Sequence, residues 1–132
     1  MTDQKNQALK IVVVDDSNLA RESVVEILKR NGFNVVGEAK SAEEAMPLLF
    51  SANLFLVDVV MPEVSGLELA KHMTEQSNKP INIIMMSSLS MEGIVIEAIS
   101  KGAIDFLAKP FSEAELIQAV EKVEIELEKE EA

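Results

Sequence analysis

Apolar and polar positions alternate along the chain in a regular order. Short apolar runs at Ile11–Val14, Leu54–Val57, Ile81–Met86 and Ile104–Ala108, with a weaker mixed run at Asn34–Ala39, predict five strands. Longer stretches between them repeat their apolar residues at helical spacing. Ala20, Val24, Ile27 and Leu28 form one such stripe after Ser17, a candidate N-cap, and Asn31-Gly32 closes that helix. Ser41 and Glu44, Ser65 and Glu68, and Ser112 and Glu115 sit at capping-box spacing and open three more. Pro47 falls inside the second and is expected to kink it or weaken its first turns. A fourth helix spans about 91–100 and ends at Lys101-Gly102, and Leu116, Val120, Val123 and Leu127 give the last one its core stripe. Five strand–helix alternations with connections too long for hairpins specify one α/β domain, a doubly wound parallel sheet with helices on both faces. Residues 1–9 and about 128–132 are expected to fray.

The third run is the most informative. Leu54-Phe55-Leu56-Val57-Asp58-Val59-Val60-Met61-Pro62 reads as a strand buried on both faces, with a single carboxylate inside it. An unpaired carboxylate in a dry core is costly, so Asp58 belongs where the strand ends and the sheet opens. Ligands of open α/β sheets bind outside those carboxyl ends.

Composition narrows the choice of chemistry. The 132 residues suffice for one domain, carry 12 basic and 23 acidic side chains for a net charge of −11, and contain no cysteine. Nucleic acid and anionic membranes are disfavoured as partners. A thiol nucleophile and a cysteine-ligated metal are excluded, and no apolar stretch approaches membrane-spanning length. The polar start, Met1 to Lys10, lacks the apolar centre of a signal peptide, so a cytoplasmic protein is expected. His72 has no second histidine with which to share a metal and reads as a solvated helix residue; Met85 and Met86 read as core filler.

The strand ends deliver Asp15 and Asp16, then Asp58, then Ser87 and Ser88, and finally Lys109 to one edge of the sheet. Converging carboxylates repel one another unless a cation intervenes, and a few hard oxygen ligands suit Mg²⁺. A carboxylate nucleophile, a divalent ion, a lysine and a hydroxyl make up a phosphoryl-transfer site that forms an acyl phosphate on Asp.

The Asp15-Asp16 pair, Asp58 followed by Met61-Pro62, Ser87 and Lys109-Pro110-Phe111 together resemble the response-regulator receiver domains, a family with a (βα)5 flavodoxin-like fold. Gly102-Ala103 and Asp105-Phe106 bring the chain nearest to the family's stand-alone chemotaxis regulators, and a stand-alone regulator with no effector domain after the last helix is expected. Ser87-Ser88-Leu89 and the segment Gly102–Phe106 also resemble the receiver part of the chemotaxis methylesterase, without its catalytic half.

The resemblance implies a role for each of these residues. Asp58 would accept a phosphoryl group from a phosphohistidine on a sensor histidine kinase. Asp16, Asp58 and the backbone carbonyl of Val60 would ligate Mg²⁺, with Asp15 holding a coordinated water. Lys109 would bind the phosphoryl group, joined to Pro110 by a cis peptide. Ser87, with Ser88 beside it, would follow the new phosphate, and Phe106 would change rotamer with activation. Val95, Ile99, Phe106 and Lys122 would line the face that docks the output protein, such as a flagellar switch component. Val60 and Leu89 occupy the two family positions that flank the approach of hydrolytic water. Both are apolar, which implies a slow unaided loss of phosphate and a separate phosphatase. Two positions depart from the family. Ser65 replaces an Asp often found before Gly66, and Phe106 lacks the hydroxyl of the Tyr common in the chemotaxis regulators.

Ile94, Val95, Ile96, Ala98 and Ile99 carry apolar character around more than one side of the fourth helix, more than a single packing stripe needs. A phosphorylation-switched signalling module is therefore expected, catalysing only its own phosphorylation and dephosphorylation. A phosphorelay intermediate that passes its phosphate to a second histidine is the alternative within that class. A Mg²⁺-dependent phosphohydrolase of the haloacid-dehalogenase type would need a second Asp at position 60, where Val60 stands. A flavodoxin-like cofactor binder would set its phosphate against Asp15 and Asp16, which would repel it.

Overall fold

In the computed structural model, residues 8–89 and 92–131 are described. Five parallel strands, β1 (Lys10–Val14), β2 (Asn34–Ala39), β3 (Leu54–Asp58), β4 (Asn82–Ser87) and β5 (Asp105–Ala108), form one sheet in the order β2-β1-β3-β4-β5. Helices α1 (Asn18–Arg30), α2 (Ala42–Ala45), α3 (Gly66–Gln76), α4 (Glu92–Ser100) and α5 (Glu113–Glu131) connect and follow them. Side chains of β1 and β3 alternate between two apolar layers, because successive strand residues point to opposite faces. Ile11, Val13, Leu54 and Leu56 pack against Val24, Val25 and Leu28 of α1 and Leu116, Val120 and Val123 of α5. Val12, Val14, Phe55 and Val57 pack against Ala45, Leu69, Ala70, Met73 and Ala98 from α2, α3 and α4. β3 is buried along its whole length, and Met85 and Met86 fill one layer each. The strand order reverses between β1 and β3, which leaves a crevice at their carboxyl ends.

Local signals translate directly. Ser17, Ser41, Ser65 and Ser112 each accept a hydrogen bond from the backbone N–H three residues on. The Glu115 carboxylate accepts from the Ser112 N–H, whereas that of Glu44 accepts from one residue further back, the Lys40 N–H. Gly32 adopts the positive φ that closes α1.

Two expectations change. The second helix does not kink at Pro47: α2 stops at Ala45 and a 3-10 turn over Met46–Leu48 takes its place. Proline has no N–H to return to a carbonyl four residues back, and a 3-10 turn with Pro in its first turn needs none. The N-terminal end is not loose through residue 9. Leu9 is fully buried, and the Asn53 side chain clamps both flanking residues, donating to the Ala8 carbonyl at 2.7 Å and accepting from the Lys10 N–H at 2.9 Å. The last helix continues to Glu131. Residues 1–7, Met91 at the expected start of the fourth helix, and Ala132 lie outside the described residues. Among the described residues no helix is long and apolar enough to cross a membrane.

Candidate phosphoryl-transfer site

Asp15 leaves β1 with all its polar groups engaged. Its N–H donates to the Ala39 carbonyl at 3.0 Å, and its carboxylate accepts from the Ser17 N–H at 2.9 Å. Its backbone carbonyl accepts from Nη1 of Arg21 at 2.7 Å. The residue is buried, while Asp16 beside it is exposed. Asp58 is the last residue of β3 and is 7% exposed. The next N–H, of Val59, donates to the Met86 carbonyl at 2.9 Å, so the chain stays beside β4 for one residue before turning away. It returns at Gly66, whose N–H donates to the Val59 carbonyl at 2.8 Å. A Cβ at Gly66 would lie 2.1 Å from the Asp58 carbonyl oxygen, so only glycine lets α3 start this close to the strand end.

From the other side, β4 supplies Ser87, fully buried, with its hydroxyl accepting from the Leu89 N–H at 2.9 Å. The Lys109 N–H donates to the Ser87 carbonyl at 2.8 Å, and the Lys109-Pro110 peptide is cis. The Lys109 Nζ lies 2.9 Å from the Asp15 carboxylate and 3.4 Å from that of Asp58.

Asp15, Asp16 and Asp58 each offer a carboxylate oxygen within 4.8 Å of the others. Burial pushes the Asp58 carboxyl up to about 6; Lys109 pulls it down, and the charges of Asp15 and Asp16 add to the rise. Burial by itself lowers the Lys109 ammonium, but its hydrogen bond to Asp15 and the charges of Asp58 and Asp15 outweigh that and raise it. Three carboxylates and one ammonium leave a net −2, the charge a divalent cation neutralises. The donors are all oxygen, and Asp16 opens to solvent, so the set fits a hard ion that keeps part of its water, as Mg²⁺ does.

The other residues singled out in the sequence divide around this cluster. Val60 and Leu89 are exposed on the strand-end loops, 51% and 42%. Ser88 is exposed and, with Lys109, borders a cavity of about 410 Å³ against α1. Phe106 is half-buried, packed on the layer formed by α2, α3 and α4. The surplus apolar character of α4 is real: Ile96 and Ile99 are exposed, Ile94 and Val95 are half-buried, and Ala98 is buried. Lys122 is exposed on α5, and His72 is exposed on α3. Two residues that shape the site, Arg21 and Gly66, were not singled out by their sequence context. Only the glycine beside a helix-capping serine hinted at a close approach.

Comparison with known proteins agrees with this geometry. The sequence matches the family model of the response regulator receiver domain over residues 11–121. It is 36% identical to the chemotaxis protein CheY of Bacillus subtilis over 117 residues, covering 87% of this chain and 97% of that protein. It is also 39% identical over 106 residues to a protein-glutamate methylesterase/protein-glutamine glutaminase of Archaeoglobus fulgidus, matching only 30% of that longer chain. Among solved structures, a CheY-like receiver domain protein from Methanospirillum hungatei superimposes with a TM-score of 0.84 at 25% identity, covering 94% of this chain and 99% of that one. The CheX-CheY-BeF3-Mg complex from Borrelia burgdorferi gives 0.80 at 28% identity, with 87% and 88% covered. With the acidic crevice at the β1/β3 reversal, the lysine from β5 and these matches over nearly its whole length, the chain belongs to the response regulator receiver domains and is CheY-like.

Proposed function

We propose that this protein is a phosphorylation switch whose acceptor is Asp58, and that it works in the cytoplasm downstream of a sensor histidine kinase. The observation that carries the reading is the placing of Asp58 at the end of the most buried strand, facing two further carboxylates and Lys109 Nζ at 3.4 Å. A carboxylate oxygen of Asp58 attacks the phosphorus of a phosphohistidine. The new O–P bond forms as the N–P bond breaks, and the imidazole leaves with the electron pair and takes up a proton. Lys109 offsets negative charge on the transferred phosphoryl oxygens. A bound Mg²⁺ would supply the remaining positive charge, held by Asp16, Asp58 and the Val60 carbonyl, with Asp15 on a coordinated water. The Borrelia burgdorferi relative was solved with Mg²⁺. Ser87, with Ser88 beside it, completes the phosphate-binding set, and Phe106 reads the change at the far side of β5. No substrate beyond the phosphodonor is involved.

CheY relatives in two genera cover the chain at 36–37% identity, which favours a chemotaxis or motor-control output over a phosphorelay. Ile96 and Ile99, exposed on α4 beside Val95, supply apolar area for docking the output protein, with Phe106 and Lys122 on the adjoining elements. A small-molecule phosphodonor such as acetyl phosphate tests the reading. With Mg²⁺ the intact mass should rise by one phosphoryl group, and chelating the metal should abolish the gain. A protein that gains no mass under these conditions would refute the proposal.

A further inference from the structure

Arg21 has no part in the reaction just described, yet each of its three guanidinium nitrogens is committed. Nη1 donates to the Asp15 backbone carbonyl at 2.7 Å, Nη2 to Asn18 Oδ1 at 2.7 Å, and Nε to Glu38 Oε1 at 3.1 Å. The side chain is 12% exposed. One guanidinium thus ties together the first turn of α1, the end of β2 and the loop that carries the acidic pair. Its rigid planar fork suits three acceptors at fixed angles, where the single ammonium of a lysine cannot serve all three.

The contact to Asp15 has a specific consequence. Asp15 and Asp16 share one peptide plane, and its oxygen is the atom Arg21 holds. Pinning that oxygen sets the orientation of the Asp16 backbone. Asp15 has other restraints, since its N–H bonds Ala39 and its carboxylate bonds Ser17 and Lys109. Asp16 is exposed, and among the described residues its carboxylate has no hydrogen bond or ion pair, so its direction follows the loop. Mutual repulsion of three carboxylates within 4.8 Å would swing this least restrained member outward if the peptide were free.

We infer that Arg21 is a positioning residue of the metal site: through the Asp15 carbonyl it orients Asp16 and so sets the affinity for a divalent cation. The inference rests on the proposed Mg²⁺ site and adds a residue that touches neither metal nor phosphate. Outer-shell partners of metal ligands typically contribute about 10- to 100-fold in affinity. Here one bond among several restraints acts on one ligand, so the low end of that range applies.

The sign of the effect separates positioning from bare electrostatics. Arg21 is a cation near a cation site, and through-space repulsion alone predicts that its removal strengthens Mg²⁺ binding. Positioning predicts that removal weakens it. The experiment is a Mg²⁺ titration of the unphosphorylated chain, read by amide chemical shifts, for wild type, Arg21→Ala, Arg21→Lys and Glu38→Gln. Arg21→Ala should weaken binding about tenfold. Arg21→Lys should recover only part of the loss although the charge is restored, and Glu38→Gln, which loosens one anchor, should show a smaller loss. Because Arg21→Lys and Glu38→Gln keep most of the packing, they carry the test if Arg21→Ala does not fold. Unchanged or tighter Mg²⁺ binding in the variants that fold, beside a wild type that binds, would overturn the role of Arg21 alone. A wild type whose shifts ignore Mg²⁺ would overturn the metal site itself.

Discussion

Replacing Asp58 with Asn should make the metal-free protein more stable, even though it removes the proposed nucleophile. The carboxyl titrates at about 6 in the fold against 3.8 in its reference state, chiefly because it is buried. Its folded pKa is raised, so below about pH 3.8 both states are protonated and the carboxyl has no net cost. As pH rises from 3.8 towards 6 the folded state keeps a proton that the unfolded chain has already released, so stability falls, and above 6 the loss levels off. Two pKa units at about 1.4 kcal/mol each put the cost of the charged form at pH 7 near 3 kcal/mol. At pH 4.5 the same linkage gives about 1 kcal/mol. Asn resembles the neutral acid without matching its hydrogen bonding, so a gain of about 1–3 kcal/mol is expected at pH 7, or roughly 3–10 °C in Tm. The assay is urea unfolding followed by far-UV circular dichroism, since the chain has no Trp or Tyr, with chelator present, at both pH values. The gap between variant and wild type should shrink by about two-thirds from pH 7 to pH 4.5. Mg²⁺ should then raise the wild-type midpoint while leaving the variant nearly still, because it binds only the folded site. A variant no more stable than wild type at pH 7, or a gap that ignores pH, would refute the electrostatic reasoning.

Gly66→Ala should destabilise the fold and reduce phosphorylation together, because its methyl group would drive into the Asp58 carbonyl; matched melts and phosphodonor rates check this. Leu56→Ala, at a fully buried position of β3, should cost about 2–5 kcal/mol in urea unfolding with little change in Mg²⁺ affinity. Val60→Asn and Leu89→Glu, alone and combined, should hasten decay of the phosphorylated protein by giving attacking water a polar partner; a decay timed by intact mass that none of them changes removes both residues from control of lifetime.

The acidic edge could be read in advance because its residues stand at strand ends, and a parallel sheet puts all those ends on one rim. Asp15, Asp16, Asp58 and Lys109 therefore followed from periodicity and sheet geometry before any distance was known. Residues whose contacts depend on loop paths could not be read this way. Arg21 reaches Glu38, 17 positions further along the chain, and nothing in its neighbours marks which acceptors it will meet. Leu9 looked like part of a polar leader, and its burial depends on the distant Asn53 clamping the backbone on either side of it. The breakdown of the second helix was signalled by Pro47, but whether proline kinks a helix or converts it to a 3-10 turn depends on the packing of the residues after it. Here Leu49 packs into the core just past the turn. The apolar positions of α4 exceeded one stripe, yet only packing could show that Ile96 and Ile99 face outward while Ala98 faces in.

The central claim is that Asp58 forms the acyl phosphate, and site-specific trapping tests it most directly. Protein treated with acetyl phosphate and Mg²⁺ is reduced with borohydride, which converts an aspartyl phosphate to homoserine with release of phosphate, and its peptides are then sequenced by mass spectrometry. Homoserine at position 58, absent without the phosphodonor and absent in Asp58→Asn, is the predicted result. Homoserine at Asp15 or Asp16, or at no carboxylate in a protein that has gained the phosphoryl mass, would contradict the account.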